Sequence, residues 1–249
     1  MPRRSGFTLV EILAAMAVLV VLVLLMAHIL SDSTGAMNRG NRRMEMSASG
    51  RAVLDLVARD LSQALTSSNA VFKIVSGGNH LFGANAYDIA SDEIYFVSPG
   101  GSVPENPRSA RPMAYFVDVM LKRQSSMVKE NNLYSLVRYA STNALEQGAW
   151  WTNAIPQNLP TVADYIVAFN ALAADESGNS ENYDSTFNTN RLPLWVDLSL
   201  ELMAADDARQ VATMWDINKD VARDMIDRYT RRYTTRVYFP NRERSRVMP

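Results

Sequence analysis

The chain has 249 residues, of which 47% are apolar and 20% are charged, so most of it is expected to fold as one large domain or two small ones. Its formal net charge of −1 at pH 7 argues against a general affinity for nucleic acid. It has no cysteine, and its two histidines are His28 and His80. This composition excludes disulfides, thiolate metal sites and a cysteine nucleophile, and leaves few residues for histidine-based catalysis.

An apolar run from Phe7 to Leu30 follows the six residues MPRRSG, and it is interrupted only by Thr8, Glu11 and His28. As a helix, these 24 residues extend about 36 Å, enough to cross a hydrocarbon core of about 30 Å. A charged residue within such a helix costs roughly 3 kcal/mol on insertion. Glu11 is therefore a candidate functional residue that needs a partner.

Two ordinary explanations of this run leave features unexplained. A cleaved secretory signal suits Arg3 and Arg4, but the run is long, has a carboxylate at its start and ends without a small-x-small cleavage site. A plain signal anchor gives Glu11 no role. The short basic head favours a cytoplasmic N-terminus, although three arginines beyond the run compete with it: Arg39, Arg42 and Arg43.

The segment GFTLVE (6–11), with its basic head and the apolar run behind it, resembles the processing site of type IV prepilins and type II secretion pseudopilins. The resemblance implies that a prepilin peptidase on the cytoplasmic face removes residues 1–6 by cutting between Gly6 and Phe7. It also implies N-methylation of Phe7 and a contact between Glu11 and the amino terminus of a neighbouring subunit.

An ion pair between Glu11 and a neighbour's Phe7 would act as a register device in a helical array. Removing one partner of a buried pair typically costs about 3–5 kcal/mol, so subunits docked at a wrong axial offset would be penalised. The apolar faces of the helices would supply the bulk attraction by packing within the lipid. The resemblance thus implies a single-pass protein of the cytoplasmic membrane, with its head in the periplasm, that later enters a periplasmic or cell-surface filament.

Residues 31–66 are predicted to continue the helix in amphipathic form. Its apolar stripe has a spacing of three to four residues, and Gly35, Gly40 and Gly50 each weaken a helix by roughly 1 kcal/mol relative to alanine. Two interpretations of this segment remain open: one helix that frays or bends, or two helices with a mobile joint. The segment RAVLDLVARDLSQA resembles the helix ends of J-type pseudopilins and W-type minor pilins. The stripe comprises Leu54, Val57, Leu61 and Leu65, with Arg51, Asp55, Arg59 and Asp60 predicted to lie off it.

Residues 67–249 are predicted to form a β-rich head. Because no helix separates most of the predicted strands, antiparallel hairpins are favoured over βαβ units. The segment LWVDLSLEL alternates apolar and polar residues as a half-buried strand does. The fold class is therefore α+β, with the lollipop layout of pilin-like proteins. The predicted strands are VFKIV (71–75), EIYFVS (93–98), MAYFVDVML (113–121), LYSLVRYA (133–140), DYIVAFNAL (164–172), LWVDLSLEL (194–202) and TTRVYF (234–239).

One late surface helix is predicted from Asp206 to about Arg232, with Asp206 and Asp207 at its positive N-terminal end. The order of IVAFNALAADESGN, LPLWVDLSLEL and this helix resembles the C component of Verru_Chthon cassettes. Its predicted packed face comprises Val211, Trp215, Ile217, Val221, Met225 and Tyr229.

The loop DESGNSENYDS (175–185) is rich in oxygen ligands of the kind that calcium prefers, although its spacing does not match an EF-hand. Two interpretations are open: a solvated loop, or a calcium site like those of some pseudopilin heads. No other cofactor is predicted. The candidate ligands are Asp175, Glu176, Asn179, Glu181, Asn182 and Asp184.

Charge in the head is distributed unevenly. The segment 164–207 has nine carboxylates against Arg191, whereas the tail from Arg228 onward has seven arginines against Glu243. The opposite signs suit either head-to-tail docking of subunits or ion pairs within one head. A role of the basic tail in DNA uptake has little else to support it.

Two further features have ordinary explanations. The doublet Trp150-Trp151 is either a contact patch or an anchor of its loop onto the core, and His80 is a turn histidine. The sequence contains no Ser-His-Asp set, P-loop or glycine-rich dinucleotide turn, so no enzyme is predicted.

The sequence therefore predicts a minor pilin or pseudopilin, with other pilin-like subunits, the prepilin peptidase and the membrane as partners. A tip position is suggested only by analogy, from the size of the head. Two rival classes remain. One is a membrane-anchored periplasmic binding protein that uses the helix as a tether. The other is a secreted enzyme whose mature chain starts near residue 30.

Overall fold

The structure is a computed structural model that describes residues 9–67, 70–77, 91–99, 110–121, 129–140, 159–176 and 178–242. The chain divides into two compact units, residues 1–45 and residues 46–249. The predicted boundaries after residues 6, 30 and 66 stay predictions. Some residues of the sequence predictions lie outside the described ranges: Gly6, Phe7, His80, Trp150, Trp151, Glu243, Arg244 and Arg246.

The first element is one continuous helix, α1 (Leu9–Ser62), of 54 residues. It runs without a break through Gly35, Gly40 and Gly50, so the alternative of two separate helices is not what the structure has. The helix ends at Ser62, after which the chain turns at Gln63 and Leu65 forms a bridge with Val97.

The predicted apolar stripe of α1 is confirmed where the helix enters the head. Leu54, Val57 and Leu61 are buried, and Val53 joins them. Gly50 lies on the same side, and a Cβ atom added there would stand 2.6 Å from the ring of Tyr233. The glycine therefore allows α1 to approach that aromatic side chain closely, and it does not mark a joint.

The described strands form two sheets, in which every pairing between strands is antiparallel. One sheet has six strands in the order β5-β4-β3-β2-β1-β8, and the other has four in the order β10-β9-β6-β7. This arrangement confirms the α+β class. The strands are β1 (Lys73–Val75), β2 (Glu93–Pro99), β3 (Ala110–Leu121), β4 (Lys129–Ala140), β5 (Thr161–Asp164), β6 (Ile166–Asp175), β7 (Gly178–Ser180), β8 (Tyr183–Asp184), β9 (Trp195–Leu202) and β10 (Arg231–Tyr238).

The strand predicted over 164–172 is confirmed from Ile166 onward as part of β6, but Asp164 belongs to a different strand, β5. The chain leaves the larger sheet after β5 and enters the smaller sheet with β6. Between them Tyr165 adopts a φ of 61°, in the left-handed region that side chains other than glycine seldom occupy. This single residue lets consecutive segments belong to different sheets, which an apolar pattern does not reveal.

One buried apolar cluster joins the end of α1 to both sheets. Val57, Tyr115 and Leu198 belong to it, and all three are less than 2% exposed. In β9 the side chains alternate strictly between buried and half-buried, as the sequence predicted. The larger sheet also has buried side chains on its opposite face, where Tyr95 and Phe116 belong to a second, smaller cluster.

The single late helix of the sequence prediction is two helices, α2 (Ala205–Ile217) and α3 (Lys219–Tyr229). Asn218 interrupts them with an extended backbone, and its side-chain oxygen accepts hydrogen bonds from the backbone N–H groups of Asp220 and Val221. This N-cap satisfies backbone N–H groups of the first turn of α3 and so marks the start of a separate helix.

The break between the two helices also changes which side chains face the core. Val211 and Trp215 are buried as predicted, whereas Ile217 is 73% exposed and Val221 is 43% exposed. Of the other predicted members of this face, Met225 is half-buried against the core and Tyr229 is 39% exposed, so the packed face is interrupted at Ile217 and Val221.

Candidate assembly site

The first described turn of α1 contains Glu11, whose carboxylate lies at the positive end of the helix dipole. Its side chain is exposed in the single chain and shares one face of the helix with Ile12, Ala15, Met16 and Leu19. The small side chain of Ala15 leaves a shallow apolar depression on that face. This face therefore offers a carboxylate and a packing surface together.

The apolar part of α1 is exposed on every side in its unit. Within the described residues, α1 is the helix that is long and apolar enough to cross a membrane. Its most apolar 18-residue window has a mean hydropathy of 3.0, and none of that window is buried. A helix that is apolar all round requires either a large core or lipid around it. The helix thus indicates membrane anchoring.

Polar side chains mark the end of the apolar run without ending the helix. The Nε2 atom of His28 lies 3.6 Å from Asp32, one turn further on. The hydroxyl of Thr34 donates to the carbonyls of Leu30 and Ser31 at 3.0 and 2.9 Å. These local contacts satisfy polar groups within the helix itself, so the helix can continue from an apolar to a polar environment.

The acidic loop distributes its candidate calcium ligands among other partners. Asp175 accepts a hydrogen bond from the backbone of Gly178 at 3.1 Å, and Glu176 lies 3.1 Å from the guanidinium of Arg242. Asn182 accepts from the backbone N–H of Ser76 at 2.9 Å. These side chains fasten the loop to neighbouring segments.

The other candidates do not converge on one point. Asp184 accepts from the hydroxyl of Thr186 at 2.6 Å and lies 3.2 Å from Lys73. Burial opposes ionisation of Asp184, but these contacts hold the pKa of its carboxyl below the ordinary value. Asn179 of β7 stands opposite Ala174 of β6 in the sheet, and the side chain of Glu181 is exposed. Within the described ranges no group of three or more acidic or histidine side chains is arranged to hold a metal. Calcium binding stays a prediction.

The two oppositely charged regions pair within one head. Arg236 of β10 makes a two-point contact with Asp197 directly across in β9, at 2.6 and 2.8 Å. In the same two strands, Arg232 of β10 lies directly opposite Glu201 of β9 and forms an ion pair with it. Of the two interpretations of the uneven charge, the structure has ion pairs within one head. The carboxylates of Asp197 and Glu201 are already paired with arginines of their own chain.

The sequence prediction also placed Asp60 off the packed stripe, and this was wrong. Its carboxylate accepts hydrogen bonds from the hydroxyl of Tyr115 at 2.6 Å and from Nε of Arg138 at 2.8 Å. Tyr115 is fully buried, and burial together with this hydrogen bond raises the pKa of its hydroxyl strongly. The network attaches the last turn of α1 to β3 and β4. A tyrosine and an arginine at opposite register positions of two predicted strands could have suggested it.

Comparison with known proteins agrees with the N-terminal motif. The family model for the prokaryotic N-terminal methylation motif matches residues 1–27. Neither a curated protein nor a solved structure matches the chain. The match supports a type IV pilin-like precursor. The motif belongs to structural subunits that are processed by a prepilin peptidase and assemble with other pilin subunits. The match ends at residue 27, well before the head, and it gives no information about the partners of the head.

Proposed function

We propose that this pilin-like chain is a minor pilin or pseudopilin that is cut between Gly6 and Phe7, methylated on Phe7 and assembled through α1 into a type IV pilus or a type II secretion-like filament. One observation carries the proposal: the methylation motif at residues 1–27 leads directly into a membrane-length helix. That helix continues without interruption to Ser62, whose turn is anchored in the head.

Glu11 has a specific task in this proposal. Cleavage after Gly6 gives Phe7 a new amino group, which is cationic at the membrane surface. In a staggered array of helices, the Glu11 carboxylate of one subunit meets the amino group of its neighbour. In a medium of low dielectric constant this pair favours one axial offset, while the face containing Ala15 and Leu19 provides close packing.

The chain is expected in the cytoplasmic membrane before assembly, with its N-terminus inside and its head in the periplasm. The polar part of α1 beyond Leu30 would then separate the head from the lipid. The pairing of acidic and basic segments within one head leaves the helix as the main attachment. A DNA-binding role is not part of the proposal, because Arg232 and Arg236 of β10 are already paired with Glu201 and Asp197 of β9.

The Glu11→Leu variant separates assembly from anchoring. Leucine makes the helix more apolar, so membrane insertion and cleavage after Gly6 should be retained, while recovery of the chain in sheared filament fractions should be lost. Leu13→Ala, on another face of the same helix, is the control and should assemble normally. Unchanged filament recovery in Glu11→Leu would favour the rival function, a periplasmic binding protein that uses the helix only as a tether.

A further inference from the structure

His28 and Asp32 are two ionisable side chains at the far end of the apolar run. His28 lies within the run, and Asp32 lies two residues beyond its end at Leu30. Their side chains are 77% and 73% exposed, although the helix around them is apolar enough to cross a membrane. Ionisable side chains in such a helix are costly in contact with lipid and are generally paired with other polar groups. These two residues are therefore a candidate contact with another chain.

The contact between these side chains within one chain leaves both of them able to bind another group. Nε2 of His28 lies 3.6 Å from the carboxylate of Asp32, which is longer than a hydrogen bond. The imidazole has a second ring nitrogen, and a carboxylate offers about four lone-pair positions. A second copy can therefore supply a hydrogen-bond partner to each side chain without displacing the contact within one chain.

The spacing of His28 and Asp32 repeats the spacing of the proposed assembly contact. In that contact, Glu11 of one copy meets the amino group of Phe7 of the next copy, four positions earlier in the sequence. At a helical rise of 1.5 Å per residue, this corresponds to an axial offset of about 6 Å between parallel helices. His28 is likewise four positions before Asp32. The same offset therefore brings Asp32 of one copy level with His28 of the next.

Asp32 also recurs on the side of the helix that contains Glu11. The two residues are 21 positions apart, as are Phe7 and His28, and this distance is three heptads. In a straight helix, side chains three heptads apart drift by about 60° around the axis, and the left-handed crossing that is common between membrane helices removes this drift. The line of contact between two copies that begins at Glu11 and Ala15 therefore reaches Asp32.

We infer that Asp32 of one copy pairs with His28 of the next copy, in the same helix contact in which Glu11 pairs with Phe7. Each chain uses its two carboxylates toward one neighbour, and its amino terminus and imidazole toward the other. The contact is therefore heterologous and continues along a filament. Two pairs at one axial offset penalise a shifted neighbour at both ends of the apolar run. The inference rests on the proposed function, because it takes the offset from the Glu11 contact.

Two variants of the full-length chain test the contact by complementation in membranes that contain prepilin peptidase. Asp32→His has two histidines at the site and His28→Asp has two carboxylates, so neither keeps a histidine–aspartate pair within one chain. Expressed alone, each should be recovered in sheared filaments about tenfold less than the parent chain, because like groups meet at the contact. Co-expression should restore recovery. The substituted histidine of one variant then meets the substituted aspartate of the other, and the native Asp32 meets the native His28.

The matched control is Ser31→His, which adds a histidine beside Asp32, keeps the native pair and should be recovered like the parent chain. Mass spectrometry of each sample shows whether the chain was processed to a methylated Phe7. Normal recovery of either variant alone, or no gain on co-expression of the two processed variants, would overturn the inference and leave the filament function standing. A parent chain that keeps Met1 and is absent from sheared filaments would refute the proposed function and the inference together.

Discussion

Asp60 differs from its charged neighbours in α1 because its carboxylate is hydrogen-bonded to side chains of the head. Its neighbours Asp55 and Arg59 are exposed, whereas its own carboxylate receives hydrogen bonds from Tyr115 and Arg138. The side chain of Asp60 is 14% exposed and that of Arg138 is 30% exposed, so the pair is only partly screened by water. The network therefore attaches the last turn of α1 to β3 and β4 within the second unit.

Replacing Asp60 by alanine should lower the free energy of unfolding of the head by about 2–3 kcal/mol, because two hydrogen bonds to a charged group are lost and Arg138 is left without its carboxylate. Chemical denaturation of the full-length chain in detergent, followed by tryptophan fluorescence, measures this. Asp55→Ala on the exposed side of the same helix is the control, with an expected change within about 0.5 kcal/mol. Equal effects of the two variants would show that the network is not a stabilising attachment.

At the scale of elements, α1 and the strand β10 meet at Gly50. An added Cβ atom would approach three atoms of the Tyr233 ring at 2.6, 2.8 and 3.0 Å, all below ordinary contact distance. A glycine within a helix normally weakens it by about 1 kcal/mol relative to alanine. The close approach of helix and strand explains why this residue is tolerated in the middle of α1.

Gly50→Ala should therefore destabilise the head, by about 1–3 kcal/mol, in spite of the better helix propensity of alanine. The thermal unfolding midpoint reports it. At Gly40 nothing lies within 4 Å of an added Cβ, so Gly40→Ala should cause no loss. A Gly50→Ala variant as stable as the parent chain would mean that the Tyr233 ring moves aside freely.

Much of the element pattern could be predicted from local sequence, because burial repeats with the period of each element. The stripe of α1 and the alternation in β9 are of this kind. The change of sheet at Tyr165 could not, since it depends on one left-handed residue. The break at Asn218 has a capping signal in the sequence, but the apolar spacing continues across it and masked the signal.

The candidate sites divide in the same way. Glu11 is evident from sequence because the motif is contiguous and a carboxylate in an apolar helix is costly. Asp60 is not, because a charged residue beside an apolar stripe is expected to face solvent, and its partners Tyr115 and Arg138 come from distant strands. The acidic loop attracted attention by composition alone, and its partners, such as Lys73 for Asp184, come from distant segments.

At the scale of the whole molecule, the chain divides into two units, and α1 contributes residues to both. The first is an apolar helix that indicates membrane anchoring. The second has its own core, built from the end of α1, two antiparallel sheets and two short helices. The match of residues 1–27 to the methylation motif supports a type IV pilin-like precursor, and it covers only the N-terminal part of the first unit.

Mass spectrometry of the native N-terminus shows whether the chain is processed as a prepilin. The chain is purified from membranes that contain prepilin peptidase, with Glu11→Leu as a parallel sample. We expect a mature chain that begins at Phe7 with a methylated amino group in both. A chain that begins at Met1, or one that begins near Ser31, would show that it is not processed as a prepilin.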